Sequence, residues 1–264
     1  MTYFTILAIL FVFAALVIIF RPEGQDLAVI SGTYVVTELG LSIQALVFIY
    51  TIGIFLLWRW IKTGKKNTPS LLWSLAFLIY GIVFIGMFFQ DIGFAWADAS
   101  NATLFFLYRQ PMIIWAALMY LGIAKILNFS KKWQWIITSA ILAIGYIWFA
   151  YSLLVVPNIE FTMYVYLYTQ WTPLCVSIAY CFFLYGKQFS FLSPRIMALG
   201  FALLGISYLG WAPWHKLAVK YIYYLWFTVF VIGLAFTLIG YLLLPYEIAA
   251  KTKKTETTGT TETR

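Results

Sequence analysis

Eight long apolar stretches fill most of this 264-residue chain, each about as long as a bilayer-crossing helix requires. They run Tyr3–Phe20, Leu41–Ile61, Leu71–Phe89, Ala102–Ile126, Trp135–Val156, Phe161–Tyr185, Ile196–Trp214 and Tyr221–Leu244. A helix rises ~1.5 Å per residue and the hydrocarbon layer is ~30 Å thick, so about 20 apolar residues suffice. With 64% hydrophobic and 10% charged residues, the chain lies far from the composition of soluble domains. In lipid the backbone must satisfy its own hydrogen bonds, which leaves helices or a closed barrel. Barrel strands would be short and alternating, whereas these runs are long and evenly apolar. The expectation is an all-α, polytopic transmembrane helical bundle over residues 1–246.

The basic residues predict its orientation. Most of them fall in four patches, at 59–66, 125–132, 187–195 and 251–264, one after every second stretch. Lys and Arg are retained on the cytoplasmic side, so eight spans with both termini in the cytoplasm of a plasma-membrane protein satisfy every loop. On that arrangement Glu23, Asp26, Glu38, Asp91, Asp98 and Glu160 lie on the outer side. The net charge of +8 is therefore chiefly a topology signal. Tyr3–Phe20 lacks the basic start and small-residue cleavage site of a signal peptide and is expected to be a span. Were it cleaved, seven spans would remain.

Trp58, Trp60, Trp133 and Trp135 mark the expected inner interface, and Trp96, Trp211, Trp214, Tyr221, Tyr223 and Tyr224 the outer one. The segment KTKKTETTGTTETR offers nothing apolar to bury, so residues 247–264 are expected to form a disordered cytoplasmic Lys/Thr-rich tail. Residues 75–86, LAFLIYGIVFIG, match residues 199–210, LGFALLGISYLG, at Leu, Phe, Gly, Ile and Gly. Either chance among apolar sequences or a parallel four-plus-four duplication explains the match. Ala198, Ala202 and Gly205 form a small-residue face suited to close helix packing.

Charges within hydrocarbon are costly, which makes Arg109 the leading candidate for function. It sits in Tyr108-Arg109-Gln110-Pro111, where the proline can kink a span, and Asp91 is its expected ion-pair partner, with Asp98 as the second candidate. Arg109 could equally snorkel to the outer headgroups or close a structural pair. Gln170 lies in a second proline-bent stretch, Thr169-Gln170-Trp171-Thr172-Pro173, and Gln44 is a further polar residue within a span. With Gln110 they would line a wet path or hydrogen-bond between helices.

Several chemistries lack their residues. His215 is the sole histidine, which excludes a bis-histidine haem or a multi-histidine metal site built from this chain. No lysine lies mid-span to carry retinal, the spans hold no aspartate pair for a magnesium-bound diphosphate, and no P-loop occurs. Cys175 and Cys181 share a predicted helix about 9 Å apart along its axis, too far to pair with each other. The chain is therefore expected to be no enzyme and to hold no cofactor or metal.

The whole-chain profile resembles the polytopic membrane subunit of the crenarchaeal DNA-import (Ced) system. The likeness rests on a short N-terminus leading into FTILAILFVFAALVIIF and on the tail KTKKTETTGTTETR, with no diagnostic motif. The resemblance implies an archaeal plasma-membrane component that imports DNA together with small membrane subunits and a hexameric motor ATPase. It carries no site residues with it. The alternative expectation is a seven- or eight-span sensory or receptor protein that signals through a separate partner.

Overall fold

The computed structural model describes residues 33–91, 109–154, 166–216 and 220–259, and every regular element among them is helical. They are α1 (Thr33–Lys62), α2 (Thr68–Asp91), α3 (Pro111–Ile126), α4 (Lys131–Leu154), a π-helical turn (Leu167–Trp171), α5 (Thr172–Gln188), α6 (Leu192–Lys216) and α7 (Lys220–Gly259). The expected first segment Tyr3–Phe20 and Asp98 lie outside the described residues.

Four helical stretches are long and apolar enough to cross a membrane: Leu39–Lys62, Thr68–Gly86, Lys131–Tyr151 and Leu225–Lys251. Pro111–Ile126 and Leu192–Tyr208 are shorter apolar helices. Within segment four the described α-helix opens at Pro111, and residues 102–108 lie outside the described residues. Arg109 is helical, Gln110 is a turn, and Pro111 opens α3 at a position where its missing N–H costs nothing. The proline expected to kink this span thus lies where the α-helical assignment is interrupted by a single turn residue, Gln110, with α-helical dihedrals. Segment six is likewise divided, between the π turn and α5, because Pro173 has no N–H to give the Thr169 carbonyl.

The three basic loops close in the same way. At each, a residue in the left-handed region (Gly64, Asn128 or Ser190) ends the helix, and the next N–H reaches back five residues. Lys65 donates to the Trp60 carbonyl at 3.0 Å, Phe129 to Ala124 at 2.9 Å and Phe191 to Gly186 at 3.1 Å. The preceding N–H bonds three residues back each time, completing a Schellman motif. These turns make α1–α2, α3–α4 and α5–α6 antiparallel hairpins. Arg59 and Lys62, Lys125 and Lys187 occupy the last turns of α1, α3 and α5, where they also offset the negative end of the helix dipole.

All three turns gather at one end of the bundle, because Asn67, Leu127 and Tyr185 border a single cavity there with Ile248 of α7. Helix α7 continues past Pro245 to Gly259, so helical backbone occupies much of the stretch whose composition predicts a disordered tail. Side-chain anchors hold the start of that extension. The Glu247 carboxylate accepts from the Leu192 N–H at 2.9 Å, the Ser193 N–H at 3.0 Å and the Ser193 hydroxyl at 2.6 Å. It thereby caps α6 from another helix. The Lys251 ammonium donates to the Phe189 carbonyl and lies 4.4 Å from the centre of the Phe191 ring. Glu247→Ala should strip the cap, costing about 1 kcal/mol, and expose residues 247–259 to limited proteolysis. Unchanged digestion and an unchanged Tm in detergent would show the contact to be idle.

The outer surfaces are those of a membrane protein. Helix α4 packs mainly on α3, and Ile144, Ile147, Tyr151 and Leu154 are exposed along it. So many exposed large apolar side chains suit lipid contact. Trp58, Trp133 and Trp135 of the expected inner belt are exposed near the basic end, with the Lys62 ammonium 4.9 Å from the Trp58 ring. Cys175 and Cys181 are free thiols.

Candidate functional site

Aromatic side chains from four elements meet in the bundle centre, and they sit where the two helix interruptions face each other. Trp115 of α3 stacks on Trp171 of the π turn, ring centres 4.0 Å apart. Tyr80 of α2 packs on both, at 5.6 Å and 4.9 Å. Tyr208 of α6 meets Trp171 edge-on at 5.1 Å and shares a 2.8 Å hydroxyl–hydroxyl hydrogen bond with Tyr80. Phe84 and Phe230 stack at 5.4 Å on the flank of this group. The interruptions are also tied directly, since the Tyr166 hydroxyl donates to the Met112 carbonyl at 2.8 Å. Thr172 secures the other side by donating to the Gly205 carbonyl at 3.2 Å.

Local sequence explains why these residues converge. Pro111 and Pro173 each remove a helical N–H, and the α-helical hydrogen bonding is interrupted at both points although Gln110 and Trp171 keep α-helical dihedrals. A π turn shifts the side-chain register and turns Trp171 inward against Trp115. Gly205 lets α5 and α6 approach until a Cβ there would lie 3.1 Å from the Cβ of Cys175. The expected small-residue face is thus used: Ala198 is buried and Gly205 abuts α5.

Arg109 is 4% exposed and lies within electrostatic reach of the Tyr80 and Tyr208 hydroxyls. It enters the bundle immediately before the N-terminus of α3, so its charge and the positive helix end act on the same region. The indole N–H groups of Trp115 and Trp171 are buried and have no hydrogen-bond partner among the described residues. An unsatisfied buried donor costs about 1–3 kcal/mol. The centre of the bundle therefore holds two unpartnered indole donors beside the Tyr80–Tyr208 hydroxyl pair that Arg109 reaches electrostatically.

The other residues singled out by sequence are dispersed. Gln110 is half-buried at the helix break beside Arg109. Gln170 lines a cleft of about 400 Å³ between α3, α4, the π turn and α5, and its buried carboxamide oxygen has no partner among the described residues. Gln44 is exposed on α1. Asp91 ends α2, and its side chain lies outside the described residues.

Sequence reasoning passed over Tyr80, Trp115, Trp171 and Tyr208. A signal was present, because Tyr80, Trp115 and Trp171 fall near the middle of their apolar segments, away from the interface where polar-tipped rings are at ease. Among the described residues no group of three or more His, Cys, Asp or Glu side chains could hold a metal ion. No family model, curated protein or solved structure matches this chain.

Proposed function

We propose that this chain is the membrane-embedded subunit of a translocation machinery for an anionic substrate. The observation that carries the reading is the pair of interrupted helices packed face to face around Arg109 and the two indole donors. Broken helices near the middle of a bundle, with helix N-termini turned inward, are how many transporters build substrate sites. Phosphate oxygens are the acceptors such a donor-rich centre favours. The resemblance to the DNA-import subunit supplies the sharpest form of the reading: DNA passes through a complex of this chain, small membrane subunits and a partner motor ATPase.

The proposed topology follows the positive-inside rule. The three Schellman turns and the end of α7 face the cytoplasm of a plasma-membrane protein. Seven described helices correspond to expected segments two to eight, and Tyr3–Phe20 as an eighth span would bring the N-terminus to the same side. Equivalent environments support the four-plus-four duplication. Phe77 and Phe201 are both fully buried, Ile82 and Ile206 are both exposed, and Gly81 and Gly205 both abut a neighbouring helix.

The decisive experiment is marker-DNA uptake in a deletion strain complemented with wild type or Arg109→Gln. Deletion should abolish uptake with growth unchanged. The variant should accumulate normally in the membrane yet lose about tenfold or more of the uptake, the loss expected for one charge-assisted contact. Normal uptake in the deletion strain removes the DNA reading, and co-purification with a sensor kinase alone would redirect it to sensing.

A further inference from the structure

The end of the bundle where the basic turns gather holds a second, half-open cavity of about 240 Å³. Its walls are largely apolar, with Leu56, Ile123, Phe182 and Leu244 among them. Few polar groups line it, chiefly the Arg59 guanidinium, the Tyr241 and Tyr185 hydroxyls, Ser70, and Asn67, whose carboxamide oxygen already accepts from the Ser70 N–H. No carboxylate is among its lining residues. The nearby Glu247 is occupied in capping α6.

Two details mark this as more than a packing gap. Tyr241 is 2% exposed, and its hydroxyl has no hydrogen-bond partner among the described residues. Arg59 is half-buried, with its guanidinium within electrostatic reach of the Tyr241 and Tyr185 hydroxyls. Among the described residues, a buried phenol without an acceptor beside a desolvated cation with no carboxylate lining its cavity is an incomplete arrangement. What would complete it is an anion with several acceptor oxygens.

We propose that this cavity binds the phosphate of an anionic membrane amphiphile. The planar guanidinium of Arg59 presents paired N–H donors suited to two phosphate oxygens, and the Tyr241 hydroxyl donates to a third position. The apolar walls take the first carbons of the attached chain. The volume is below the ~300–1,000 Å³ of pockets that enclose a whole drug-sized ligand, so only the headgroup end enters and the remaining chain stays in the bilayer. Basic pockets between membrane helices at the cytoplasmic level recognise lipid headgroups by this chemistry. Such binding is independent of whether the chain translocates anything.

Native mass spectrometry of the full chain in detergent, titrated with dioctanoyl phosphatidylglycerol, dioctanoyl phosphatidylcholine or inorganic phosphate, tests the proposal. Saturable binding of the anionic lipid is expected, with the zwitterionic lipid at least about tenfold weaker. Inorganic phosphate should compete only weakly, because it lacks the chain; competition as strong as the lipid's would assign the site to free phosphate instead. Tyr241→Phe, which removes only the hydroxyl, and Arg59→Gln should each weaken lipid binding about tenfold. Arg59→Lys keeps the charge and should restore part of the affinity if Arg59→Gln is poorly folded. The control Lys125→Gln, at the same end but not lining the cavity, should bind as wild type. Equal binding of both lipids, or wild-type affinity in Tyr241→Phe, overturns the proposal.

Discussion

Leucine at Gly200 should leave the chain unable to assemble a monodisperse bundle. Helices α6 and α7 form the most extensive helix pair among the described residues, and glycines at their contact bring the two backbones close together. A Cβ at Gly200 would lie 2.7 Å from the Thr237 amide nitrogen and 2.8 Å from the Gly233 carbonyl oxygen. One at Gly233 would lie 2.9 Å from the Gly200 carbonyl, and one at Gly240 would lie 2.8 Å from that of Ser193. These obstacles are backbone atoms, which no rotamer change removes, so a side chain must force the helices apart. In lipid, apolar contact between helices replaces apolar contact with acyl chains, and association depends on close van der Waals packing. Separating the pair also loosens the Glu247 cap on α6.

The expected cost of Gly200→Leu is about 3 kcal/mol or more, at the upper end for overpacking. Size-exclusion chromatography after mild detergent extraction, with thermal unfolding of any soluble fraction, measures it. Gly40→Ala supplies the control. Nothing lies within 4 Å of a Cβ at Gly40 in α1, and alanine there should be neutral or stabilising. A monodisperse Gly200→Leu protein with wild-type Tm would show that α6 and α7 tolerate separation.

The α6–α7 contact shows how far sequence reaches. Gly233, Thr237 and Gly240 are spaced i, i+4, i+7, the pattern that identified Ala198, Ala202 and Gly205, and were legible in the same way. The apolar runs were legible because hydrocarbon thickness fixes their length. Gly64 and Asn128 are ordinary left-handed helix terminators, whereas Ser190 carries no such signature, and only its equivalent place after a basic turn links it to them. Pro111 and Pro173 announced disturbances, but not that one would sit just after a single turn residue between two helical stretches or that the other would follow a π turn. What sequence could not give is adjacency. Arg109 comes within electrostatic reach of Tyr80 and Tyr208 because α2 packs on α3 while α6 packs on α5 and the π turn, a choice made by the packing of whole helices. Arg59 was read as an orientation signal, and its second role at a cavity depends on Tyr241, far away in the chain.

Trp171→Ala should be the most damaging change within the aromatic centre, and Trp171→Phe among the mildest. Trp171 is fully buried, stacks on Trp115 at 4.0 Å and touches Tyr80 and Tyr208. Truncation to alanine removes all three ring contacts and opens a void between two interrupted helices, a loss of about 3–5 kcal/mol. Because Trp115 loses its stacking partner in the same step, Trp115→Ala in that background should cost less than in wild type, by about 0.5–1.5 kcal/mol. Phenylalanine keeps a ring on Trp115 and deletes an indole N–H that has no partner among the described residues. The area lost is offset by relief of an unsatisfied donor worth about 1–3 kcal/mol, so Trp171→Phe should unfold within a few degrees of wild type. Thermal unfolding followed by far-UV circular dichroism ranks the three variants. The pair of substitutions then separates packing from recognition. If the indole donors receive a passing phosphate, Trp171→Phe will fold normally yet lose uptake; if they are idle, it will retain both, and the donor-rich centre will have to act through Arg109 alone.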